Sequence, residues 1–216
     1  CYNLIINEGW SGLLVEGSPV RFEELQKRYA KRADVETLNR FIHFDGPETL
    51  DSILQSSIVP VDFGLLSIDI DGNDYHVWAG LKNFRPEIVV IEINPTIPND
   101  IVFVQARSFE VNQGSSLQAM IQLGKEKGYE LACCTDLNAI FVIKEKYEVL
   151  NIPDNDINTL YRPHCDGRIF QGMDSTVFVV GMDRLIWKGG REITHEDFQV
   201  VAPNHRVYSD SLKSTI

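Results

Sequence analysis

The stretch Leu65 to Tyr75, LLSIDIDGNDY, ends an apolar run in two carboxylates, Asp69 and Asp71, and a glycine at 72. On a continuing strand the two aspartates flank Ile70 and share one face, and Gly72 permits a tight turn into whatever follows. A second apolar run, Ile88 to Pro95 (IVVIEINP), carries Glu92 and Asn94 at its own end. Two close carboxylates repel unless something positive lies between them. A hard divalent cation such as Mg2+ is one solution, with Glu92 and Asn94 completing an oxygen ligand set. Such an ion would hold and acidify a substrate hydroxyl. The plainer alternative is that Asp71 or Asp74 caps the next helix, with Asn73 in the turn.

Three other groups have chemical potential. Glu16 ends the run Leu13 to Val15 and is followed by Gly17, which suits a carboxylate that grips a ribose diol; a solvated turn glutamate is the alternative. His43 and His76 are the candidate general bases, since imidazole titrates near neutral pH. His43 could equally touch a nucleotide base, and His76 could simply line a helix. His164, His195 and His205 lie late in the chain, where a surface position is expected, and His164-Cys165 alone is a weak metal pair. Trp10, Trp78 and Trp187 are expected to pack, not to clamp a ligand.

The elements that must position these groups follow from periodicity. Between Asp71 and Ile88 lies a helical pattern, Asp74 to Leu81, so this unit is a strand, helix, strand crossover of parallel type. Ligands of open parallel sheets bind beyond the carboxyl ends of the strands, which is where both acidic clusters fall. Upstream, a helical pattern runs from Tyr2 to Ile6, a strand over 12 to 19, an amphipathic helix from Arg21 to Arg32, a strand from Val35 to Ile42 and a helix from Pro47 to Leu54. Ser115 to Lys127 is helical again, whereas 96 to 114 lacks periodicity and is long enough to form a lid or substrate wall. Tyr129 to Thr135 and Ala139 to Lys144 are strands separated by three residues, which only an antiparallel hairpin can close. A mostly parallel sheet that finishes in one hairpin is the arrangement of the S-adenosylmethionine-dependent methyltransferase fold; dinucleotide dehydrogenases usually continue parallel.

The chain of 216 residues, 44% hydrophobic, suits one α/β domain over 1 to 147 and an appendage over 148 to 216, in which 176 to 182 and 185 to 187 look like strands. A net charge of -11 argues against a nucleic-acid partner. No apolar run reaches the roughly 20 residues that span a bilayer, and no charged-then-apolar leader opens the chain, so a soluble, cytoplasmic protein with no membrane partner is expected. Cys1, Cys133, Cys134 and Cys165 are read as buried thiols, not a disulfide framework.

Taken together, the segments NEGWSGLLVEGSP (7 to 19), TLDSIL (49 to 54), DFGLLSIDIDGNDYHVW (62 to 78), VVIEINPTIP (89 to 98) and SLQAMIQLGKEKGYELACCTDLNAIFVIK (116 to 144) resemble FkbM-type methyltransferases. The resemblance implies an α/β Rossmann-like class I methyltransferase fold, S-adenosylmethionine as donor, and O-methylation of a small-molecule or glycan hydroxyl. It implies that Glu16, with Gly17, holds the cofactor ribose and that Asp69 lies beside the methyl donor. Asp69, Glu92 and Asn94 also resemble the metal positions of cation-dependent O-methyltransferases. The glycine-rich loop and first strand of such folds have no counterpart in these residues, so the sheet is expected to lack that strand and the sequence to be incomplete at its N-terminus. A non-catalytic Rossmann-like binding module is the alternative; an oxidoreductase is disfavoured by the hairpin.

Overall fold

Short apolar runs alternating with amphipathic helices set the architecture of the first two-thirds of the chain. The computed structural model describes residues 1–163, 167–185, 191–208 and 210. Helix α1 (Tyr2–Ile6) leads to β1 (Gly12–Glu16), α2 (Pro19–Tyr29) and β2 (Val35–Asn39). Pro19, whose fixed φ suits a first helical turn, starts α2 as expected. Ile5, Tyr29 and Val35 are buried together, with Leu14 and Leu25 against them. Strands β1 and β2 are parallel, from Gly12 opposite Val35 to Glu16 opposite Asn39.

A short helix α3 (Leu50–Gln55) precedes β3 (Leu65–Ile68), and α4 (Asp74–Gly80) carries the chain over to β4 (Ile88–Glu92). β3 and β4 are parallel, with Leu65 opposite Ile88, so the predicted crossover is present. Helix α5 (Leu117–Glu126) then returns the chain to a hairpin of β5 (Tyr129–Cys134) and β6 (Asn138–Ile143). The second hairpin strand is the one that pairs with β4, antiparallel, which gives the order β3-β4-β6-β5. Composition explains the choice: β6 is apolar on both faces and suits an interior position, whereas β5 carries the exposed Cys133 and suits an edge. The sheet is therefore mixed, parallel at β3 and β4 and closed by the antiparallel hairpin expected at its end.

It is also divided. Among the described residues β1 pairs only with β2, and β3 only with β4. A cavity of about 450 Å3 lies between them, lined by every residue of β1 and of β3. Neighbours on a strand point to opposite faces, so lining by consecutive residues means that the strand edges, with their backbone N–H and C=O groups, border the space.

The main core gathers Trp78 from α4, Ile91 from β4, Met120 from α5, and Tyr129 and Phe141 from the hairpin. Trp78 is 0% exposed, with its ring centroid 5.0 Å from that of Phe141 and 5.7 Å from that of Tyr129. Gly124 of α5 makes room for this cluster: a Cβ there would come to 3.0 Å from the Phe141 ring. Ser116 caps α5 by accepting a hydrogen bond from the N–H of Ala119 at 3.2 Å.

Beyond β6 come α6 (Lys144–Tyr147) and α7 (Ile157–Leu160). Ile157, Leu160 and Tyr161 pack on the main core, and the Tyr161 hydroxyl donates to the carbonyl of Asp136 at 3.0 Å, so residues counted with the appendage join the domain. β7 (Arg168–Gln171), which has no expectation behind it, pairs antiparallel with β8 (Val177–Val180), and Phe170 stacks on Phe178. β9 (Arg184–Leu185) pairs with β10 (Arg191–Glu192). His164, Cys165 and Trp187 lie outside the described residues. The expectation of buried thiols fails for Cys1 and Cys133, which are exposed and free, while Cys134 is half-buried and free. A register shift between Leu131 and Cys133 on edge strand β5 accompanies the outward Cys133.

Trp78→Ala is expected to lower the free energy of unfolding by about 3–5 kcal/mol, the usual cost of truncating a buried tryptophan, as a shift of the urea midpoint.

Candidate functional site

The site is made by the way the chain leaves β3. Asp71 adopts φ 57° and Gly72 φ 126°, which reverses the chain within a few residues of Ile68. The carboxylate of Asp74, 2% exposed, closes this turn by accepting hydrogen bonds from the N–H groups of Ile70 (3.0 Å) and Gly72 (2.9 Å). Burial raises its pKa to about 6 even though these bonds pull the other way. A carboxylate does therefore serve the backbone here. It is Asp74, and it braces the turn; the helix N-cap, Asn73, makes no side-chain cap bond.

With the turn held, Asp69, Asp71 and Glu92 converge, each offering a carboxylate oxygen within 4.8 Å of the others. Asp69 and Asp71 are exposed, whereas Glu92 is 9% exposed. Burial, then the charges of Asp74, Asp69 and Asp71, push the pKa of Glu92 up to about 8. Burial and the neighbouring Asp71 raise that of Asp69 as well. Asn94 does not join this set. Its amide oxygen accepts from both the N–H (2.9 Å) and the hydroxyl (2.6 Å) of Thr96, and its NH2 donates to the carbonyl of Gln113 (2.7 Å). Both oxygen lone pairs are thus engaged in bracing the following loop, and the expected role as a metal ligand is corrected.

That loop, 96 to 114, is anchored by a residue without any expectation behind it. Gln105 is 1% exposed; its NH2 donates to Asn73 Oδ1 (3.3 Å) and the carbonyl of Val111 (2.7 Å), while Oε1 accepts from the N–H groups of Gln113 (2.7 Å) and Gly114 (2.8 Å). A Cβ on Gly72 would lie 2.8 Å from Gln105 Oε1, so the turn and the loop fit only with glycine there. The carbonyl of Gln105 lies 2.6 Å from Nε2 of His76. A carbonyl can only accept, so Nε2 carries the proton and Nδ1 is the nitrogen left to take one.

Glu16 and Asp69 line the same 450 Å3 cavity. One Glu16 oxygen, Oε1, accepts the N–H of Ser18 at 2.8 Å, the turn role considered as the alternative. Gly17 abuts Phe41, to which a Cβ would come within 3.2 Å. His43 and His76 lie instead in an aromatic cluster. Phe44 stacks on Phe109 at 4.7 Å; His43 meets Phe41 and Phe109 edge-on at 5.4 and 5.3 Å, and His76 meets Phe44 at 5.8 Å. The structure thus joins Glu16 to Asp69, and His43 to His76. Sequence reasoning missed Phe41, Phe44 and Phe109; three phenylalanines in aperiodic segments were the available signal.

Two carboxylate-bearing turns at the carboxyl ends of adjacent parallel strands, followed by a terminal hairpin, fit the comparison with known families, in which residues 46–131 match the Methyltransferase FkbM domain. Over that span the chain is similar to FkbM methyltransferases. The FkbM segment holds the 70–74 turn, Glu92 and Gln105, and its match implies a Rossmann-like fold; Glu16 and His43 fall before it. The chain is also 21% identical over 178 residues to Tetraspanin-1 of Caenorhabditis elegans, covering 73% of this chain and 68% of that protein. No helix among the described residues is long and apolar enough to cross a membrane. No solved structure matches.

Two outcomes are expected. Gln105→Leu leaves the N–H groups of Gln113 and Gly114 without an acceptor, and should cost on the order of 2–4 kcal/mol of unfolding free energy in urea. For Glu92 the folded pKa of about 8 stands above the ordinary 4.5, so the neutral acid is the form that folding favours. Stability should be greatest below 4.5 as far as this group is concerned, and decline as pH rises toward about 8. Urea midpoints across that window, in chelator, should show the decline, and Glu92→Gln should flatten it.

Proposed function

We propose that the protein is an S-adenosylmethionine-dependent methyltransferase that acts on a hydroxyl of a small molecule or glycan. The methyltransferase assignment rests on the FkbM match over 46–131; the donor site rests on Glu16 and Asp69 bordering one cavity at the strand ends. The residues suit that donor: carboxylates favour a cationic sulfonium, and Glu16 Oε2 has no hydrogen-bond partner among the described residues, leaving it for a ribose hydroxyl. When bound, S-adenosylmethionine supplies an electrophilic methyl group. The chain's own part is to hold the acceptor in line with it and to accept the hydroxyl proton, for which Nδ1 of His76 is the available nitrogen. Gly17 and His43 are assigned to the cofactor side, and the 96–114 loop with residues 148–216 to the acceptor pocket. In this reading one more parallel strand fills the length of the gap between β1 and β3 and completes a single Rossmann-like sheet, leaving the mouth at the strand ends, beside Glu16 and Asp69, for the donor.

A second reading, a non-catalytic binding module of the same fold, is favoured by the structural employment of Glu16 Oε1 and His76 Nε2. Calorimetry with S-adenosylhomocysteine separates the two. Binding should be measurable and weaken at least tenfold, about 1.4 kcal/mol, in Glu16→Ala. Absence of both binding and methyl transfer across a panel of hydroxyl acceptors would remove the methyltransferase reading.

A further inference from the structure

Glu92 is a buried carboxyl group surrounded by like charges. It is 9% exposed, and neither a hydrogen-bond donor nor a Lys or Arg partner accompanies its carboxylate among the described residues; the charges acting on it are those of Asp74, Asp69 and Asp71. Buried carboxyl groups without partners are rare because each forfeits its hydration. This one is also aimed, since its oxygen lies within 4.8 Å of ligand oxygens of Asp69 and Asp71.

We propose that Glu92, Asp69 and Asp71 form a binding site for one hard divalent cation, with water completing its coordination. The donor set is oxygen only, which selects magnesium, calcium or manganese over the softer metals that seek thiolate or imidazole. The spacing is compatible. Oxygens opposite one another across a calcium ion are about 4.6–5.2 Å apart, and across magnesium about 4.0–4.2 Å, from the usual bond lengths. The three oxygens all lie within 4.8 Å of one another, so one such ion can reach all of them. Their exposure leaves the open side on which a hydrated ion keeps its waters. Asp74 is not a ligand: its two oxygens bond to Ile70 and Gly72, and its part is to hold the turn that presents Asp69 and Asp71. Of the four groups that the sequence brought together, the site keeps Asp69, Asp71 and Glu92 and loses Asn94, whose amide is engaged by Thr96 and Gln113. It stands independently of methyl transfer.

The test is a titration of the chelator-stripped full chain with Mn2+, following the free-ion signal by electron paramagnetic resonance, and competing with Mg2+ and Ca2+. One ion per chain is expected, displaced by Mg2+ or Ca2+, with a rise in the thermal midpoint as the ion saturates. Glu92→Gln and Asp71→Asn should each weaken binding at least tenfold. Asn tolerates the left-handed backbone at 71, so the second variant reports even if the first does not fold. Glu24→Gln, on the exposed side of α2, should bind as the parent does. Absence of a bound ion up to about 1 mM, or unchanged affinity in Asp71→Asn, would overturn the proposal. S-adenosylhomocysteine binding measured in chelator keeps this outcome separate from that of the methyltransferase reading.

Discussion

One carboxylate folded back on its own approach governs the site. Asp74 begins α4, yet its oxygens bond to backbone two and four residues earlier, so the chain between β3 and α4 has a single economical path. Every group nearby inherits its position from that path. Asp71 is driven into the left-handed region, Gly72 lies against Gln105, and Asn73 meets the Gln105 amide. A buried charge normally opposes folding; here two N–H donors offset part of the desolvation, and turn and carboxylate stabilise each other.

The parts of this architecture visible in the sequence are those governed by local rules. The run of apolar residues in β3 and β4, the turn residues between, and the three-residue hairpin link are short-range signals, and they specified the crossover and the hairpin. Strand order is decided by tertiary packing, and so the pairing of β6 with β4 could only be rationalised afterwards, from the apolar character of both faces of β6. The helix and strand limits run shorter than periodicity suggested, as with β2, which ends at Asn39 where its side chain turns to bond the carbonyl of Glu16.

At the site the division is similar. Asp69, Asp71 and Glu92 were legible because each sits at the end of an apolar strand. Asn94 was legible in place but not in role, since nothing in the sequence shows that Thr96 and Gln113 will consume its amide. Gln105 was invisible: a glutamine in an aperiodic loop carries no pattern, and its importance comes from four partners, three later in that loop and one, Asn73, in the turn after β3. The loop consequently differs from a free lid. It is stapled at its middle to the turn it covers, with Ser115 and Ser116 buried at its far end.

The divided sheet has a consequence for how the molecule holds together. The β1–β2 pair has its own small cluster around Ile5, Tyr29 and Val35, while the four-stranded sheet has the larger one around Trp78 and Phe141. Leu13 and Leu14, neighbours on β1, pack on the larger and the smaller cluster respectively. Two such clusters can open as separate cooperative units, the smaller at lower free energy, and amide exchange is then expected to be faster in β1 and β2 than in β4 and β6. Any chain or ligand that seats across both strand edges welds these units, and its arrival is registered as a gain in cooperativity throughout the molecule.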